Sequence, residues 1–137
     1  MPNFQVFDKR AVPSSVEPMV TLQRSGPISL NRVAYHAIGE PSHVELLYDP
    51  DEKIIGLRAA IDRPAHAYPV RVQGHATHSY LVAGLAFMKH FNILPKVSLR
   101  YVAQMYGDVL GVDLKEKGLE VTSNRSGRKS ELRAVSG

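Results

Sequence analysis

The chain contains no cysteine and no tryptophan, and only 7% of its 137 residues are aromatic. Without cysteine, neither disulfides nor a thiolate zinc site can hold the fold together, which fits a reducing compartment. No apolar run approaches the roughly 20 residues that a spanning helix needs. The opening stretch MPNFQVFDKR lacks the charged-then-apolar pattern of a secretory signal. The expectation is a soluble cytoplasmic protein with no membrane partner. Also absent are the G-x-S-x-G elbow, the P-loop, the Rossmann fingerprint and H-E-x-x-H. The chain is therefore read as a non-enzyme, with no catalytic residue and no cofactor. His75 and His78 lie three apart in GHATHSY, and His36, His43, His66 and His90 complete the histidines. With no cysteine and no zincin motif beside them, local hydrogen bonding is the expected role and no metal is assigned.

What is present is a modest core and a mild basic excess. Hydrophobic residues make up 44% of the chain, enough for one domain or two very small ones. Seventeen Lys and Arg oppose thirteen Asp and Glu, with a pI near 9.5. That balance suits a polyanion such as nucleic acid.

Residues 1–18, with Pro2, Pro13 and Pro18, read as an arm carrying one short strand at Phe4–Phe7. VTLQ (20–23) alternates, RSGP breaks it, and ISL resumes. Leu30, Val33, Ala34, Ala37 and Ile38 then fall on one face of a short helix. Asn31 can cap its start, and Gly39 can end it in a left-handed conformation. VELLY, the polar turn DPDEK and IIGLRA read as a β-hairpin over 44–59. Residues 61–69 form a proline-broken linker. VRVQ (70–73) reopens the pattern, and LVAGLAFMKHF (81–91) predicts a second helix with Ser79 as its cap. Leu81, Leu85, Met88 and Phe91 form its apolar stripe, read as core. KVSLRYVAQ (96–104) alternates on Val97, Leu99 and Tyr101, MYGD turns, and VLGVDL returns. Residues 118–137 read as a loose basic tail.

The two halves agree in order. Val20 and Gln23 align with Val70 and Gln73, Ala34-Tyr35 with Ala86-Phe87, and Val44, Leu46 and Tyr48 with Val97, Leu99 and Tyr101. IIGLR aligns with VLGVD, setting Gly56 opposite Gly111. The reading is an internal duplication, 19–60 and a divergent 70–117. One half is too small to bury a core, so two would share one by exchanging hairpins, and a closed barrel would remove exposed sheet edges. The fold class expected is mainly β with short helices, a swapped-hairpin-like β-barrel of two tandem βαβ-hairpin repeats.

GPISLNRVAYHAIGEPSHVELLYDPDEKIIGLRAA resembles the AbrB/SpoVT-type swapped-hairpin DNA-binding domain. Ile28-Ser29-Leu30 matches the entering strand, Ala37-Ile38-Gly39 the helix end, and Val44-Glu45-Leu46 with Ile55-Gly56-Leu57-Arg58 the hairpin. Two such units in one chain resemble the MraZ-type members. Asn31 stands where that family commonly has proline, and the second half lacks a basic residue at its helix start. The resemblance implies a sequence-specific regulator of transcription that binds double-stranded DNA, usually as a homodimer. It carries DNA contact to Arg24 in the first loop, Arg32 at the helix start and Arg58 at the hairpin end. Arg71 is a candidate from the repeat. Arg125, Arg128 and Lys129, with Arg133, are candidates as a phosphate-gripping tail. The alternative reading is a protein-interaction module on the same scaffold, without nucleic-acid binding.

Overall fold

A computed structural model of the chain describes residues 17–62, 65, 67–73 and 79–121. The arm strand at Phe4–Phe7, His66, His75, His78 and the tail residues Arg125, Arg128, Lys129 and Arg133 lie outside the described residues. The first half runs β1 (Met19–Leu22), β2 (Ile28–Leu30), α1 (Arg32–Ala37), β3 (His43–Asp49) and β4 (Ile54–Ala59). The second runs β5 (Tyr68–Gln73), β6 (Ser79–Val82), α2 (Leu85–His90), β7 (Leu99–Val102), β8 (Gln104–Tyr106), β9 (Val109–Asp113) and β10 (Leu119–Glu120). The protein is thus mainly β with short helices. Among the described residues no helix is long and apolar enough to cross a membrane.

All pairings are antiparallel, in the order β10-β7-β1-β2-β6-β5-β3-β4-β9-β8. The sheet is not closed into a barrel by hydrogen bonds: β10 and β8 are its two ends. Its ends belong to one stretch of chain, however, because β7 and β8 are separated only by Ala103. That stretch changes partner at Ala103, from β1 to β9. β3 does the same at Val44, which pairs with Tyr68 of β5 and Ala59 of β4. The expected single strand over 96–104 is therefore two, broken at Ala103, whose N–H donates to the Pro18 carbonyl.

The core lies on the inward face. Val20, Leu22, Ile28, Leu30, Val44, Ile55, Leu57, Val82, Leu110 and Val112 come from six different strands. Ala34, Ile38, Phe87 and Met88 join them from the helix segments, which are too short to persist without that packing. Asn31 caps α1 as its side chain allows, with Oδ1 accepting from the Ala34 N–H at 2.9 Å. Gly39 follows at φ +88°.

The second helix is shorter than its apolar run suggests. Leu81 and Val82 belong to β6, paired with Ser29 and Ile28, and Ser79 is a strand residue rather than a cap. The helix begins after Gly84, without a side-chain cap. A Cβ on Gly84 would lie 2.8 Å from Ile28 Cδ1, so the chain passes β2 too closely for any side chain. Leu119 and Glu120, expected in the tail, instead pair with the edge of β7.

Candidate nucleic-acid interface

Arg24 sits on the turn between β1 and β2. The turn is closed by the Gly26 N–H to the Gln23 carbonyl at 2.8 Å and the Gln23 N–H to the Pro27 carbonyl at 3.0 Å. Gly26 takes φ +115° and lies against Leu85, where a Cβ would approach the Leu85 Cβ to 2.5 Å. The backbone N–H of Arg24 donates to Ser98 Oγ at 3.0 Å. These contacts fix the loop while leaving the Arg24 side chain exposed. Arg32 is the first residue of α1 and is also exposed. Arg24 precedes β2 and Arg32 follows it, so the two flank that strand at opposite ends.

Arg71 occupies β5 and is exposed. Its register partner is Leu81, whose partner in turn is Ser29. Ser29 pairs with Thr21, and Thr21 with Arg100. Residues in direct register share a face of the sheet, so Arg71 and Arg100 stand on the same outward face. Arg100 escaped the sequence reading, although its signal was available: it falls between the inward residues Leu99 and Tyr101 of an alternating stretch.

Arg58 is differently placed. Its Nε and Nη2 donate to Glu45 Oε1 at 3.0 and 2.7 Å, across the register pair Glu45–Arg58. That hydrogen bond and charge hold the Arg58 guanidinium above its ordinary pKa.

Seven of the eleven described carboxylates lie on the β3-β4-β9-β8 half, several of them already engaged. Asp49 Oδ1 accepts from the N–H groups of Asp51 and Glu52 and stabilises the polar turn. Lys115 Nζ lies 3.0 Å from Asp113 Oδ1 and also donates to the Glu52 carbonyl. The Lys115 N–H and ammonium pull the Asp113 carboxyl below the usual carboxylate range. Asp108 and Glu116 lie exposed in the same half. By contrast, among the described residues Arg24, Arg32, Arg71 and Arg100 form no ion pair.

No known family, curated protein or solved structure matches this chain.

The remaining candidates for chemistry are sparse. Among the described residues no three His, Asp or Glu side chains converge as metal ligands. His36 Nδ1 lies 3.1 Å from Glu40 Oε2 on the surface, and His43 Nδ1 lies 3.0 Å from Ser42 Oγ. Tyr35 stacks on Tyr80 with ring centroids 4.0 Å apart and donates to the Pro41 carbonyl at 2.7 Å, which ties α1 to β6. These contacts serve the fold.

Proposed function

We propose that this protein binds double-stranded DNA as a regulator of transcription, using two swapped-hairpin-like halves and acting as a homodimer. The observation that carries the reading is the separation of charge. Exposed arginines without an ion pair among the described residues lie on and beside the β7-β1-β2-β6-β5 face, while Glu45, Asp49, Glu52 and Asp113 on the other half of the sheet have partners of their own. A face of this kind attracts polyanions and orients the molecule towards them. Arginine supplies bidentate donors suited to phosphate and to guanine edges. The AbrB/SpoVT-like pattern of residues 20–60 supports the same partner, and the strand order supports shared halves. Exchanging β1, β2 and β3 with β5, β6 and β7 leaves the segment β7-β1-β2-β6-β5-β3 unchanged when it is read backwards.

Exposed apolar residues favour a second reading, a protein-interaction module without nucleic-acid binding. Val102, Met105 and Tyr106, at 49%, 41% and 44% exposure, lie along the β7-β8 stretch.

A fluorescence anisotropy titration with duplex DNA at two salt concentrations decides between them. The DNA reading expects binding that weakens steeply with salt and that drops on Arg24→Ala or Arg32→Ala. No binding at low salt, or binding indifferent to salt, rejects it in favour of the interaction module.

A further inference from the structure

Resting on the DNA-binding reading, we infer that Arg100 and Arg71, the exposed ends of the register row Arg100–Thr21–Ser29–Leu81–Arg71, form a seat for the phosphate backbone of a duplex. It acts separately from the two loop arginines and sets affinity without reading sequence.

The row follows from register. Its five residues are consecutive partners across β7, β1, β2, β6 and β5. Steps of about 4.8 Å between neighbouring strands put roughly 19 Å of sheet, measured along its surface, between the Arg100 and Arg71 backbones. The same strands send Val20, Leu22, Ile28, Leu30 and Val82 inward, so the row cannot turn towards the core without breaking the pairing.

Its hydrogen-bonding chemistry is one-sided. Arg100 Nε donates to Thr21 Oγ1 at 3.3 Å, which lays the guanidinium along the sheet with its outer nitrogens still available as donors. Ser29 Oγ and Ser79 Oγ are 2.9 Å apart. One hydroxyl donates to the other, so the pair keeps one proton for an outside acceptor. Ser79 stands beside the row, on the same strand and face as Leu81. The row contains neither a carboxylate nor an aromatic ring.

Cationic donors facing outward match phosphate oxygens, which only accept. Base edges in the major groove mix donors and acceptors, and they lie about 8.5 Å deep. Between the two arginines this face carries the buried Thr21 and the half-buried Ser29 and Leu81, side chains too short to reach that depth. Single strands are held by aromatic stacking platforms, which the row lacks. Arg24 and Arg32 sit instead on a turn and a helix start at the ends of β2, positions that extend beyond the sheet. Sequence discrimination therefore belongs to those two, and uniform affinity to Arg71 and Arg100.

The test uses the full chain, several unrelated duplexes of equal length and a single strand, titrated across a salt series. The double variant Arg71→Gln/Arg100→Gln is compared with Arg24→Gln, with thermal denaturation confirming that each is folded. The expected result is that the double variant weakens every duplex by the same factor, about tenfold at low salt. It lowers the slope of log affinity against log salt by roughly 2, since each phosphate contact contributes about 0.9. The Arg24 variant instead changes the ranking of the duplexes. Unchanged binding by the double variant, or a loss that differs between sequences, overturns the inference while the DNA reading stands. A wild-type chain that binds no duplex overturns both.

Discussion

Gly56 and Gly111 are direct register partners across β4 and β9. The internal alignment set them in equivalent positions of the two halves, and the fold places them face to face. Outward side chains lie over both glycines. A Cβ on Gly56 would meet Val109 Cγ1 at 2.6 Å, and one on Gly111 would meet Tyr106 Cε1 at 2.4 Å.

The two sites differ in how readily they yield. Val109 is half-buried and β-branched, so its side chain has few alternative rotamers. Tyr106 is 44% exposed and its ring can swing outward. Gly56→Ala is therefore expected to destabilise the protein by about 1–3 kcal/mol, the usual range for overpacking, and Gly111→Ala by less. Urea midpoints at unchanged slope measure both. Equal losses, or the reverse order, would show that the covering side chains do not set the cost.

Features legible in the sequence were those decided by local chemistry. Asn31 as a cap, Gly39 as a stop and Asp49 as the organiser of a turn each depend on neighbours within a few residues. The inward alternation of β1, β3, β4 and β9 was equally plain. The stretch LVAGLAFMKHF was not, because Leu81 and Val82 satisfy a strand as well as a helix. Pairing with Ser29 and Ile28, some fifty residues away, decided the matter. The break at Ala103 was hidden for the same reason, since it marks a change of partner between distant strands. Of the interface, Arg24, Arg32 and Arg71 were legible as basic residues, but not the register that sets Arg71 on one face with Arg100.

Asn31 does more than cap a helix. Its Oδ1 accepts from the N–H groups of Ala34 and Met19, and its Nδ2 donates to the Glu17 carbonyl. It thus joins the start of α1 to the start of β1. Asn31→Ala is expected at the upper end of the cap range, near 2 kcal/mol. Asn31→Asp keeps both acceptor bonds but turns the donor facing the Glu17 carbonyl into a second acceptor, so it should cost less than Asn31→Ala while still destabilising. Chemical denaturation of the two variants checks the order.

Tyr101 predicts the response to alkali. Burial pushes its hydroxyl pKa above the ordinary value near 10. The unfolded chain then loses this proton first as pH rises. The stabilising contribution is complete below about pH 10 and is lost as pH climbs through the raised folded value. Tyr101→Phe cannot titrate, so it should lose less stability than wild type above about pH 10. Tyr35 is shifted in the same direction, by burial first and then by Glu40, so part of the alkaline loss should survive in the variant. Urea midpoints on either side of that pH measure the difference, and parallel profiles for the two proteins would refute the assignment.

Arg58 separates a structural arginine from a binding one. Two of its nitrogens already donate to one Glu45 oxygen, and both side chains are partly covered, at 37% and 21% exposure. A guanidinium neutralised within the protein displaces few counterions from DNA. Arg58→Ala is therefore expected to change duplex affinity by less than about twofold and to leave the salt slope unaltered, whereas Arg71→Gln and Arg100→Gln each lower that slope by roughly 0.9. Glu45→Gln supplies the converse. It removes the neutralising charge but keeps a hydrogen-bond acceptor, so a steeper slope in that variant would place Arg58 beside the bound duplex. An unchanged slope would leave the Glu45–Arg58 pair as a tie between β3 and β4 alone.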